Sequence, residues 1–118
     1  MTSPMSAETP AVQELLDDAS GAVAVGELEA AAALFRQATE VDPSCFDAWH
    51  GLGMVLMRSG DLKTALGASL MATDLRPNDL LAWTSLSQIY VKMGNIPEAE
   101  AAKGNARILS LGGRIVRE

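Results

Sequence analysis

The sequence predicts an all-α chain, a solenoid of three stacked helix pairs. Three observations predict it: a 34-residue period running nearly the whole length, apolar residues at helical rather than strand spacing within each period, and glycine and proline at fixed places in it. Gly26, Gly60 and Gly94 keep the period, as do Ala31, Ala65 and Ala99, and Ala38, Ala72 and Ala106, while Trp49 pairs with Trp83 and Pro43 with Pro77. The units occupy 12–45, 46–79 and 80–113, leaving a head at 1–11 that is expected to be mobile and a short tail at 114–118.

Each unit reads as two helices. Trp49, Leu52, Val55 and Leu56 make an apolar stripe, repeated by Trp83, Leu86 and Tyr90. The shared glycine ends the first helix, because only glycine takes a positive φ without steric cost. Asn95 with Glu98 has the form of a capping box, with Pro97 tolerated in the first turn, and Ser44 with Asp47 is a weaker version. Asp42-Pro43 and Arg76-Pro77 stop the second helices of units one and two. Alanine at repeat positions 20 and 27 lets the second helix approach its neighbours closely, and the tryptophans supply bulk. A single helix pair cannot bury its apolar face, so stability comes from the interfaces between units.

Composition bounds the function. The 118 residues make one domain, 48% hydrophobic and 20% charged, which is globular and not disordered. Nine Lys and Arg against fifteen Asp and Glu give a net charge of −6, which disfavours nucleic acid. Cys45 is the single cysteine, so no internal disulfide forms and a reducing compartment fits. No basic residue precedes Arg36, and Glu27 and Glu29 interrupt the apolar stretch from Gly21 to Phe35. Neither a signal peptide nor a membrane span is expected, and the chain reads as cytoplasmic.

On these residues the sequence resembles the tetratricopeptide repeat family. The middle unit agrees at Trp49, Leu52, Gly53, Ala65, Ala72 and Pro77, with Leu56 a similar choice and Ser69 a departure. The third agrees at Trp83, Leu86, Tyr90, Ala99 and Ala106, but not at Ser87, Lys103 and Leu111. The first is degenerate: Ala31, Phe35, Ala38 and Pro43 match, whereas Leu15, Asp18, Ala19 and Ala22 stand where its first helix would carry Trp, Leu, Gly and Tyr. The resemblance implies a right-handed superhelix of three antiparallel helix pairs, whose concave face, lined by the first helices, holds a peptide of another protein. On that geometry the groove is lined by Leu16, Val23, Asp47, His50, Met54, Met57, Arg58, Leu81, Thr84, Gln88, Val91 and Lys92. Met54 and Met57 suit a surface that accepts varied apolar side chains, the alternative being that they fill the core. Arg58 and Lys92 suit a carboxylate at one edge. Family members that clamp the acidic C-termini of heat-shock chaperones carry Lys, Asn and Arg at places held here by Leu16, Ser20, Gly51, Leu81 and Ser85, so that clamp is absent.

No enzyme, metal or cofactor is expected. His50 lies near Cys45 and one turn from Asp47, but there is no second histidine and no phosphate loop. The expected function is a protein-interaction module or assembly scaffold holding a partner peptide. Two rivals stand beside it: a chaperone shielding an apolar segment of a secreted protein, and a regulatory subunit docking through the C-terminal face. That face gathers Ile108, Leu109, Leu111, Ile115 and Val116, with only Arg114 to Glu118 following the third unit. It reads as an interface with another copy or a different partner, unless the tail folds back over it.

Charge is sorted along the chain as well. Residues 1–35 hold six acids and no base, whereas from Lys103 onward Arg107, Arg114 and Arg117 face only Glu118. The sorting is either ordinary solvated charge or the basis of end-to-end stacking between copies. Light scattering separates the two: stacking gives a mass that grows with concentration at low salt and falls to the monomer at high salt, and solvated charge gives a monomer throughout.

Overall fold

The computed structural model describes residues 11–115, which form six helices: α1 Val12–Ala24, α2 Leu28–Val41, α3 Phe46–Ser59, α4 Leu62–Leu75, α5 Leu80–Met93 and α6 Ile96–Ser110. The expected mobile head, apart from Ala11, lies outside the described residues. Consecutive helices pack on one another, making three antiparallel pairs in a body of 52 × 31 × 20 Å. The first helices of successive pairs also touch, α1 with α3 and α3 with α5, whereas the second helices α2, α4 and α6 do not. One face is therefore a closed row of first helices, and the opposite face opens into clefts between second helices.

The punctuation works as its chemistry requires. Gly26, Gly60 and Gly94 have φ of 81°, 95° and 81°, and the amide after each bonds to the carbonyl five residues before it, as Asp61 N to Leu56 O at 2.9 Å. Asp42 and Arg76 are forced to extended ψ by the prolines that follow, so α2 and α4 end at Val41 and Leu75. Leu111 stands where those prolines would be, and α6 runs one residue further in the repeat before Gly112 turns it at φ 88°.

The caps differ from expectation. Asp61 and Asp79 cap α4 and α5, accepting from Thr64 N and Ala82 N. Asn95, in the place that Asp61 holds one unit earlier, makes no side-chain cap. Ser44 lies one residue too early: Cys45 precedes α3, and the Ser44 amide bonds instead to Asp42 Oδ1 at 3.0 Å.

Alanine governs the packing. Ala31, Ala65 and Ala99, and Ala38 and Ala72, are at most 1% exposed. Each tryptophan ties its unit to the one before, donating from Nε1 to the carbonyl of Pro43 or Pro77 at 2.8 Å. In the degenerate first helix Leu15, Ala19 and Ala22 are the buried residues, so it keeps the register of the others with smaller side chains. Where unit two has Gly53 close to the Ala65 carbonyl, unit three has Ser87, whose hydroxyl donates to the Ala99 carbonyl at 2.9 Å.

Gly51 is the tightest point. A Cβ there would fall on Cε1, Cζ and Cδ1 of the buried Phe35 ring. Gly51→Ala is expected to cost about 1–3 kcal/mol, read as a lower urea midpoint with unchanged m, whereas Gly53→Ala, whose Cβ would stand 3.4 Å from its nearest neighbours, is tolerated.

Candidate functional site

The row of first helices presents the groove. At its α1–α3 end a hollow of about 240 Å³ is lined by Ser20, Val23, Phe35, Gly51, Met54, Val55 and Arg58. Val23 and Met54 come from facing helices, both half-buried against the core, and Arg58 stands exposed at the rim. Phe35 reaches the floor from α2 because Gly51 has no side chain to keep it out. The methionines thus divide the two roles: both pack on the core, and Met54 also lines the hollow. Leu16 is half-buried against the core with them.

One unit further, the same places are polar. Ser69 stands where Phe35 does and Ser85 where Gly51 does, both buried. Ser85 Oγ and His50 Nε2 share a hydrogen bond of 3.0 Å, which links α3 to α5 across the groove floor. The Ser69 hydroxyl has no hydrogen-bond partner among the described residues. His50 also stacks on Phe46, ring centroids 5.5 Å apart, and the Arg76 guanidinium carbon lies 4.4 Å from the Phe46 ring centre.

The remaining groove candidates are more open. Asp47, Gln88 and Lys92 are exposed, Leu81 and Val91 are 57% and 55% exposed, and the Thr84 hydroxyl donates to Leu80 O at 2.9 Å. Of the C-terminal candidates, Ile108 and Leu111 are exposed and Leu109 is half-buried. Ile115 turns away to the opposite face, into a cleft beside Leu70, Met71 and Trp83, and Val116 lies outside the described residues. Phe35, Ser69, Ser85 and Asn78 were not singled out from sequence as site residues. Comparing repeat positions 24 and 6 across units would have found the first three, since Phe35 gives way to Ser69 and Gly51 to Ser85.

No helix among the described residues is long and apolar enough to cross a membrane, and no group of three or more His, Cys, Asp or Glu among them could hold a metal ion. An array of three consecutive helix pairs whose first helices touch in a row defines a helical-repeat protein. The chain belongs to the tetratricopeptide repeat family, whose model matches residues 16–79. Among solved structures, MamA superposes with a TM-score of 0.84 at 20% identity, over 92% of this chain and 63% of that one. The CopN–Scc3 complex matches with a TM-score of 0.80 at 21% identity, over 83% and 58%. The Yersinia enterocolitica type III secretion translocator chaperone SycD matches with 0.80 at 18% identity, over 86% and 79%. At such identities the likeness is one of fold, and the chain spans about three fifths of the first two. No curated protein matches it.

Burial holds the His50 pKa below its ordinary value of 6.5, and the Asp79 and Asp47 carboxylates partly oppose it. Below that pH the unfolded chain binds more protons than the folded one, so stability is full above pH 6.5 and declines as the pH falls through 6.5 toward the lowered value. His50 is the only histidine, so His50→Gln is expected to flatten the slope of urea-unfolding stability between about pH 7.5 and 5.5.

Proposed function

We propose that this chain is a non-enzymatic interaction module that holds an extended segment of a partner protein along the row of α1, α3 and α5. The observation that carries the reading is the hollow between α1 and α3, where Val23, Met54 and Arg58 converge over Phe35. An aliphatic side chain fits its walls, and a carboxylate beside that side chain pairs with Arg58. The next station along the groove is polar, with the half-buried His50 held by the buried Ser85 hydroxyl. The fold is shared with a translocator chaperone and with a protein seen in complex with another, which supports a holding role. With a free thiol at Cys45, the reading places the chain in a reducing compartment, the cytoplasm.

A second reading, chaperone-like shielding of an apolar segment, is favoured by Leu81 and Val91, both more than half exposed on α5. It requires a longer apolar ligand that reaches the third unit.

Peptides selected from a random library on the wild-type protein test both. Groove binding predicts that Met54→Glu and Arg58→Glu each weaken the selected peptides about tenfold or more in fluorescence anisotropy, while Leu70→Lys on the opposite face leaves them unchanged. Shielding predicts in addition a loss with Leu81→Glu. Peptides indifferent to all three groove substitutions would refute both readings.

A further inference from the structure

The outermost helices, α1 and α6, present matched faces. At each joint inside the chain a second helix packs antiparallel on the first helix of the next pair. Phe35 of α2 lies against Gly51 of α3, and three residues along each helix, in opposite directions, Ala38 and Ala48 share a core cluster. The α4–α5 joint keeps this register: Ala72 clusters with Ala82, while Ser69 and Ser85 hold the places of Phe35 and Gly51. All of these residues are buried except Gly51, which is half-buried.

One period on, the outer face of α6 carries charge at the joint positions. Lys103 stands where Phe35 and Ser69 do, Arg107 where the buried Thr39 and Thr73 do, and Glu100 where the buried Ala32 and half-buried Leu66 do. All three are exposed. One period back, the outer face of α1 is acidic: the exposed Asp17 stands in the place of Gly51 and Ser85, and the exposed Glu14 in that of Ala48 and Ala82. Asp17 Oδ1 accepts from Gln13 Nε2 at 2.9 Å, a contact along α1 itself. The chain leaving α6 turns away from its outer face, since Gly112 reverses it at φ 88° and the Ile115 amide donates to Asn78 Oδ1 at 2.7 Å, before α5.

Carrying the internal register from one copy to another sets α6 of the first on α1 of the second. Lys103 then meets Asp17 and Arg107 lies beside Glu14, whereas Glu100 falls against Ser20 and Gly21, which carry no charge. Asp18, the other exposed acid of α1, adds to the field that draws a basic face, and Glu98, the remaining charged residue of α6, turns to the cleft behind. The tie that tryptophan makes inside the chain is missing here, because Leu15 takes its place in α1 and is buried in its own unit. The joint therefore rests on exposed ion pairs, which salt screens.

We propose that the outer face of α6 docks the outer face of α1 of a second copy, with Lys103 of one on Asp17 of the other and Arg107 beside Glu14. The two faces are unlike, so the contact does not close and each added copy offers a fresh end. The row of first helices, and the groove with it, runs on from copy to copy.

The test uses the full-length chain in low salt, with light scattering over a range of concentrations. The wild-type mass is expected to rise about twofold or more, without stopping at the dimer. Lys103→Glu with Arg107→Glu makes both faces acidic, and Glu14→Lys with Asp17→Lys makes both basic. Each double variant is expected to stay monomeric, because like charges then meet, with helicity by circular dichroism unchanged. An equimolar mixture of the two is expected to grow as wild type does, since every basic face again finds an acidic one. Contact is checked with Lys103→Cys and Asp17→Cys in a Cys45→Ser chain, where α1 and α6 of one copy do not touch, so that oxidation by copper–phenanthroline gives a ladder of linked copies. Glu98→Cys with Asp17→Cys is expected to give none. A monomeric wild type, a mass that stops at the dimer, double variants that grow, a mixture no larger than its components, or a ladder as strong from Glu98→Cys would each overturn the proposal.

Discussion

The close approach of one helix to the next, allowed by alanine, is the constraint on which the rest of this structure depends. Among the described residues, thirteen of the twenty-one buried apolar side chains are alanines. A methyl group fills little volume, so this core exists only because the helix backbones come near enough to bury it. Larger residues at Ala31, Ala65 or Ala99 would push the helices apart, and bulky side chains such as Phe35, Leu52, Leu56 and Ile89 would lose contact together. The groove follows from the same constraint. First helices that touch in a row leave a continuous face, and second helices that do not touch leave clefts behind it.

Within that frame the units are alike in backbone and unlike in chemistry. Phe35 over Gly51 makes an apolar, tightly fitted joint between the first two pairs. Ser69 and Ser85 take those two places at the next joint, where a His50 hydrogen bond replaces ring-on-glycine packing. A buried hydroxyl without a partner, as at Ser69, costs about 1–3 kcal/mol relative to a satisfied one. The same two positions therefore give the groove floor an apolar station and a polar one.

Much of the fold was legible in the sequence, because the features that set it recur. Glycine at 26, 60 and 94, and proline at 43 and 77, act through local backbone sterics that no tertiary context overrides. The caps were less legible. A capping bond depends on which residue precedes the first helical turn, and one position of shift moved that role from Ser44 to Cys45, while Asn95 makes no capping bond although it stands where Asp61 does one unit earlier. In the site, repeat position located Val23, Met54 and Arg58, but not the floor they share, because Phe35 belongs to a helix behind the groove. The path of the tail was beyond periodicity altogether, since it rests on one backbone amide meeting the side chain of Asn78, 37 residues away.

The unequal joints have a mechanical consequence. In an array whose parts interact only with neighbours, compliance collects where the coupling is weakest. The joint carrying Phe35 is filled by an interlocked ring and resists shear between its helices, whereas the one carrying Ser69 is spanned by a hydrogen bond that can tilt and re-form. Of the two joints, the one between the second and third pairs offers the less interlocked packing to a bending load.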